Sequence, residues 1–410
     1  MRRVLVLLTL ALALVLGTPH LFRWAIQQPG VYVRIALTAA EFGSLKRDEV
    51  DWPSLRAEVL ERSRGARTAA DTHDAIRHLL RGLKDSHSFL VPATVVQDWR
   101  FQHTGVLAIR PDNVVFRVLP DSPAWKAGVR DRDLIEAVDG EPPEGRFYVR
   151  LPEGETTLRI RSARTGEVSD ITVAPGDVDM SVPPVGRLIR GTIGYLELPH
   201  AVPDQPAYVS TVRELISDLQ RHGATGWVVD LRRNEGGDSQ PMLDAARPLL
   251  GEGVPGYHLR PESVSAGWLD VALEKASDGM FLRPGARVPW TFSDEPEFQA
   301  AGELPPVAVL LSELTGSSAE TLAIAFRGLE HARFFGEPTA GLTTSNLTVP
   351  LPDGAWMQLT DAVSMDRNGV RFDGPVSPDV LVPIDWAELG TDTDSVLRVA
   401  IDWLTTRQRP

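Results

Sequence analysis

Residues 310–341 read LLSELTGSSAETLAIAFRGLEHARFFGEPTAG, and the rest of the chain is organised around them. The apolar run Val307–Leu311 feeds a short polar turn, Ser312 to Gly316, and a helical pattern opens at Ser317. Gly316, Ser317, Ser318 and Ala319 crowd this turn with small side chains, so little shields a hydroxyl there and backbone N–H groups can come close. A helix start also leaves unpaired N–H donors and a positive dipole end, which suits a developing oxyanion. A serine nucleophile at a strand-to-helix turn uses this geometry. A plainer reading competes, in which Ser317 is an N-cap and Glu320 completes a capping box. The turn alone favours that reading, so the decision falls to the remaining residues.

At 410 residues the chain exceeds one ordinary core, and two or three domains are expected. A hydrophobic content of 43% with 24% charged residues fits a folded globular protein. The 42 basic and 55 acidic residues give a net charge of −13 without a basic block, which argues against nucleic acid as a partner. The absence of cysteine excludes disulfides, a thiol nucleophile and cysteine metal sites.

Met1 to Gly17 reads as an export signal: Arg2 and Arg3 form the basic start, and Val4 to Leu16 is apolar apart from Thr9. The run is short for a membrane span, even with Leu21 to Ile26 behind it. Cleaved secretion and a retained anchor within 1–26 both stay open. The domains that follow are expected outside the cytoplasm.

From 31 to 93 apolar side chains recur at helical spacing, with Asp51 and Thr68 where N-caps belong. The last of these helices ends in the polar turn Lys84-Asp85-Ser86-His87-Ser88. From 98 to 181 the pattern shifts to short alternating runs separated by turn signals, an all-β region with one helical piece at Ser122 to Gly128. Its phrase VLPDSPAWKAGVRDRDLIEAVDG resembles a PDZ domain. Such a domain takes an extended peptide by strand addition, and Thr104, Gly105 and Val106 fall where it holds a terminal carboxylate on backbone N–H groups. From 187 to 407 strands and helices alternate, which implies α/β layering. Within this part the strand WVVDL (227–231) runs into Arg232-Arg233-Asn234-Glu235-Gly236-Gly237. The irregular stretch Val254 to Glu303 is expected to shape a substrate cleft or a subunit contact.

Ser317 needs a base, since a free hydroxyl is a poor nucleophile near neutral pH. The lysines are Lys46, Lys84, Lys126 and Lys275, and none lies C-terminal of the serine. Histidine is the other solution. Of the nine, His73 and His78 lie in a helix and His222 and His331 near helix ends; His87 differs by sitting in a compact polar turn between Ser86 and Ser88.

A helical segment ending in D-x-H-S, a PDZ domain, DLR-x-N-x-GG, T-x-S-S-x-E and GEPTAG follow one another in this chain. In that order they resemble the carboxyl-terminal processing peptidase and tricorn-core family over residues 31 to 405. The resemblance implies a β-β-α superhelix core shared with crotonases and the Clp protease, and an α/β fold with an N-terminal helical domain and an inserted PDZ domain. It implies Ser317 as nucleophile, with an oxyanion hole from the Ser318 N–H and the Gly236-Gly237 turn. Glycine there leaves room for the substrate carbonyl. Lysine-dyad members carry their lysine just after the G-E-P-T-x-G segment, where this chain has Leu342. The chain instead resembles the histidine-using, tricorn-like branch, whose Ser-His pair matches Ser86-His87. That branch places an acid before a G-x-x-x-P-D segment, and Asp373 occupies the corresponding place here. Asp85 and Glu320 are the alternatives, Glu320 being better explained as a helix cap.

The expectation is an exported or membrane-anchored serine endopeptidase acting on protein or peptide substrates recruited by the PDZ domain, without metal or cofactor. Two rivals share the fold: an inactive relative that holds a peptide or apolar ligand, and a crotonase-type acyl-transfer enzyme.

Overall fold

Helical spacing near the N-terminus becomes α1 (Pro29–Gly43), α2 (Trp52–Arg62) and α3 (His73–Gly82) in the computed structural model. The structure describes residues 26–93, 100–109, 112–145, 149, 151–152, 154–179, 181–201, 206–262, 285–293 and 304–407. The expected export segment and most of the irregular stretch lie outside them. Asp51 caps α2, its side chain accepting the Ser54 N–H at 3.3 Å. Thr68 and Asp71 exchange side-chain-to-backbone bonds of 3.2 and 3.0 Å ahead of α3. α1 buries Tyr32, Val33, Ala36, Leu37 and Ala40, one face of a helix.

A short strand β1 (Phe89–Val91) follows, then the all-β region. It holds β2 (Arg100–His103), β3 (Val106–Ile109), β4 (Val114–Val118), α4 (Pro123–Ala127), β5 (Leu134–Val138), β6 (Thr156–Arg161), β7 (Val168–Val173) and β8 (Gly176–Asp179). β3 to β7 form one antiparallel sheet in sequence order, and β2 pairs β8. Val106, Val115, Ala124, Ile135, Leu158 and Ile160 make its own small core.

The α/β part opens with β9 (Val185–Ile189), β10 (Ile193–Glu197), α5 (Pro206–Arg221), β11 (Gly226–Asp230), α6 (Ser239–Leu250), β12 (Gly256–Leu259) and β13 (Arg287–Pro289). It continues through β14 (Val307–Leu311), α7 (Ser318–Arg327), β15 (Ala332–Gly336), β16 (Thr344–Pro350), β17 (Trp356–Asp366), β18 (Arg371–Phe372), β19 (Val380–Leu381) and α8 (Ser395–Arg407). A sheet of order β19-β15-β14-β11-β10-β9 carries this part, parallel from β10 to β19 and closed by antiparallel β9. β11 and β14 are buried throughout, which explains their unbroken apolar sequence. One face packs under α5, α6 and α7 around Trp227, Met242 and Phe326; α8 covers the other through Val396, Leu397 and Leu404.

The chain divides into two compact units. The smaller comprises Met1–Asp98, His258–Val288 and Thr344–Val363; the larger comprises Trp99–Tyr257, Pro289–Thr343 and Ser364–Pro410. In the smaller unit, Leu347, Val349, Met357 and Leu359 of the β16–β17 hairpin complete the core of α1 to α3. The helices therefore bury their apolar faces against a hairpin drawn from the far end of the chain. In the larger unit the PDZ-like sheet packs on the α/β part through Phe116, Ile109, Leu314 and Trp386. Arg233 adds to this contact, bonding the Phe116 carbonyl at 2.9 Å, Asp131 at 2.8 Å and Glu197. Among the described residues no helix is long and apolar enough to cross a membrane.

Candidate active site

Ser317 stands between β14 and α7 with φ +52° and ψ −118°. A non-glycine residue at positive φ costs on the order of 1–3 kcal/mol and persists only where its surroundings hold it. They do so here. Glu320 Oε2 accepts the Ser317 N–H at 2.9 Å, and Glu320 Oε1 accepts from the Thr339 hydroxyl and from the Gly341 N–H at 2.8 Å. The expected capping carboxylate therefore also ties the serine to the G-E-P-T-A-G segment. Glu320 is fully buried, and burial pushes its carboxyl up to about 7 against the pull of these donors and Leu342. A plain N-cap has no need of a strained backbone; a serine raised on a sharp turn does.

The glycine turn lies against the same serine. Gly236 and Gly237 have φ of +118° and +110°, where a side chain is disfavoured. A Cβ on Gly236 would stand 2.8 Å from Ser317 Cβ and 3.2 Å from Ser318 N. Buried Asn234 braces the turn: its Nδ2 donates to the Leu198 and Pro199 carbonyls, and its Oδ1 accepts the Gly236 N–H at 2.9 Å. Its own carbonyl accepts the Gly316 N–H at 3.1 Å. The Gly236 N–H thus closes the turn, which departs from the expectation that either glycine serves as oxyanion donor and directs attention to Gly237. Ser318 adds a cross-tie, its hydroxyl donating to the Gly237 carbonyl at 2.7 Å.

His87 lies in the smaller unit and is buried, at 7% exposure. Asp85 builds its turn, accepting the His87 and Ser88 N–H groups at 3.1 and 2.6 Å and the Ser88 hydroxyl at 2.9 Å. His87 Nδ1 lies 2.9 Å from Thr344 Oγ1, and Asn346 Nδ2 donates to the His87 carbonyl at 3.0 Å. Burial lowers the imidazole to about 4, outweighing the opposing influence of the Asp85 charge and a bond to the Thr344 main chain. The ring is therefore neutral at pH 7.

Asp373 is exposed on the turn after β18, in the larger unit, while in the smaller unit the Thr344 hydroxyl lies at Nδ1 of His87. Ser86 is exposed as well; the structured serine of the turn is Ser88, which also accepts the Thr360 N–H at 3.0 Å. Thr344 and Ser88 were the residues missed. The alternation of Thr344 and Asn346 on a strand was the available signal, but nothing in it pointed to His87.

In the PDZ-like sheet, a cavity of about 650 Å³ is lined by Gln102 to Thr104, Val106 to Ala108, Val149, Leu151 and Glu235. Buried Thr104 starts the loop, and Gly105 at φ +87° has no room for a side chain beside Ser122. The Gly105 N–H donates to His103 Nδ1 at 2.9 Å, and the Val106 N–H points to Thr104 Oγ1 at 3.4 Å. The Val149 N–H donates to the Ala108 carbonyl at 2.9 Å. The loop expected to grip a carboxylate on its N–H groups thus satisfies Gly105 internally, and the groove strand is already bonded at Ala108. Glu235, next to the glycine turn, forms part of this wall. Among the described residues no cluster of ligands could hold a metal ion.

Residues 192–382 match peptidase family S41, and residues 114–148 match the PDZ domain family. The nisin-resistance protein of Lactococcus lactis subsp. lactis is 30% identical over 226 residues, 53% of this chain and 62% of that protein, under two thirds of its length. A carboxyl-terminal-processing protease of Picosynechococcus sp. is 26% identical over 386 residues, covering 87% of this chain and 84% of that one. Among solved structures, a putative S41 protease from Bacteroides fragilis matches with TM-score 0.59 at 18% identity, over 92% of this chain and 98% of that chain. That likeness concerns the fold.

Proposed function

We propose that Ser317 is the nucleophile and His87 the base of this chain, a serine peptidase whose residues 192–382 match family S41 and whose residues 114–148 match the PDZ domain family. The observation that carries the reading is the strained, pinned backbone of Ser317 against a glycine turn. His87 Nε2 takes the hydroxyl proton as Ser317 attacks a peptide carbonyl. The developing oxyanion is met by the N–H groups of Ser318, at the start of α7, and of Gly237. His87 then returns the proton to the leaving amine, and water hydrolyses the acyl-enzyme by the same route.

We read residues 31–93 as the helical domain, 98–181 as the PDZ domain that recruits a protein or peptide segment, and 187–407 as the peptidase core. Residues 1–26 carry the chain out of the cytoplasm, on the charge and apolar pattern of that segment. The test is fluorophosphonate labelling of the full chain, wild type beside Ser317→Ala and His87→Ala. Labelling of the wild type that disappears in both variants is the expected result. A folded wild type that stays unlabelled, with and without peptide, would favour the peptide-binding rival.

The pH profile is a second test. An imidazole at about 4 stays unprotonated well below neutrality, so kcat/KM of the free enzyme should stay level from pH 7 to about 5 and halve near 4. An acid limb near 6.5, the ordinary histidine value, would contradict it. Stability follows the same groups. His87 and His258 are both lowered by burial to about 4, so each contributes fully above the unfolded value near 6.5. That contribution is lost as the pH falls from there through 4, because only the unfolded chain takes up the proton in between.

A further inference from the structure

We infer that Thr344 is the positioning residue of His87, its hydroxyl fixing the ring's tautomer in the place a carboxylate would otherwise take. The inference rests on the reading of His87 as the base. Thr344 Oγ1 lies 2.9 Å from Nδ1. A hydroxyl can accept as well as donate, so Thr344 Oγ1 can take the Nδ1 proton and leave Nε2 its lone pair. That is the tautomer a general base requires.

The strand makes the arrangement rigid. Thr344 opens β16, and Asn346, two residues on across an irregularity in the pairing with β17, donates to the His87 carbonyl at 3.0 Å. Ring and backbone of His87 are thus held by alternate residues of one strand. The β-branched side chain restricts the hydroxyl to few rotamers. The Thr360 hydroxyl lies within reach of two acceptors, Asn346 Oδ1 at 3.1 Å and Asp85 at 3.2 Å, and its one proton goes to either, which links the strand to the turn that carries the histidine.

The charge that acts on the ring from its own turn is Asp85. Asp85 faces His87 from its own turn and acts on it through its field, while its oxygens accept the N–H groups of His87 and Ser88 and two hydroxyls. Orientation and charge stabilisation, joined in a single carboxylate in a Ser-His-Asp triad, are divided here: Thr344 orients and Asp85 supplies the negative charge.

The experiment compares Thr344→Val with Thr344→Ser in the full chain. Peptide hydrolysis should lose about tenfold in kcat at unchanged KM in Thr344→Val, the size of one neutral hydrogen bond, and Thr344→Ser should restore most of it. The ¹⁵N shifts of His87, assigned by their loss in His87→Ala, should move from a single tautomer toward a mixture in Thr344→Val. Thr344→Ala serves if the valine variant fails to fold. Unchanged kcat together with unchanged ¹⁵N shifts would overturn the inference. If the shifts move while His87→Ala still labels with fluorophosphonate, the base reading fails and only the orienting contact stands.

Discussion

Gly237→Ala is expected to lower kcat by about 10²–10³-fold, the effect of losing one oxyanion donor, with KM nearly unchanged. The expectation comes from crowding by main chain rather than by a side chain that can move. A Cβ on Gly237 would lie 1.9 Å from the Ala201 carbonyl oxygen and 2.9 Å from its carbon. That carbonyl already accepts the Asp238 N–H at 2.7 Å, so neither partner can retreat without breaking the bond that anchors the start of α6. The turn must move away from Ala201, and the Gly237 N–H moves with it. Positive φ adds a strain that any alanine would feel, and Gly191→Ala isolates that part. Gly191 has φ +77° with open space around its Cβ position, so its substitution should cost about 1 kcal/mol of stability and leave kcat intact. Steady-state hydrolysis of one peptide by both variants decides the matter. Wild-type kcat in Gly237→Ala would remove Gly237 from the oxyanion hole.

What could be read from the sequence follows the range of the interactions involved. The nucleophile turn was legible because it is local: an apolar strand, small residues, then a helix pattern with Glu320 in place. Its decisive property was not, since a capping box and a strained serine elbow share the same letters and differ in φ. The glycine turn was visible as a pair of glycines after a buried strand. Which N–H stays available depended on Asn234, whose amide folds back on Gly236. His87 stood out by its polar turn, but its partner lies 257 residues away on β16. Pairing across that separation is decided by the packing of the hairpin on α1 to α3, which no local pattern encodes.

The buried ion cluster behind the site supports the second large effect: Arg232→Met should destabilise the larger unit by about 3–5 kcal/mol. Arg232, 1% exposed, donates to both oxygens of Asp230 at 3.0 and 2.6 Å and to both oxygens of Asp394 at 2.9 and 2.8 Å. Tyr195 adds its hydroxyl to Asp230 at 2.9 Å. Burial raises Asp230, but the Arg232 charge and its hydrogen bonds prevail and hold it below the usual carboxylate range. Methionine would leave two buried carboxylates facing one another without a cation. The cluster also connects parts of the site. Asp394 caps α8 by accepting the Leu397 N–H at 3.0 Å, while the Leu231 and Arg232 carbonyls accept the Thr315 and Ser312 hydroxyls ahead of Ser317. One guanidinium thus joins the end of β11, the approach to the nucleophile turn and the C-terminal helix. Replacing all three charges, as Arg232→Met with Asp230→Leu and Asp394→Leu, removes the uncompensated carboxylates and should recover part of the lost stability, since the Tyr195 hydroxyl and the Leu397 N–H lose their acceptors. It should not recover kcat, because the apolar triple carries no bidentate geometry to place the Leu231 and Arg232 carbonyls. Urea unfolding read beside peptide hydrolysis separates these two consequences. A triple variant with full activity would show that the cluster serves stability alone, and an Arg232→Met variant as stable as wild type would remove it from both roles.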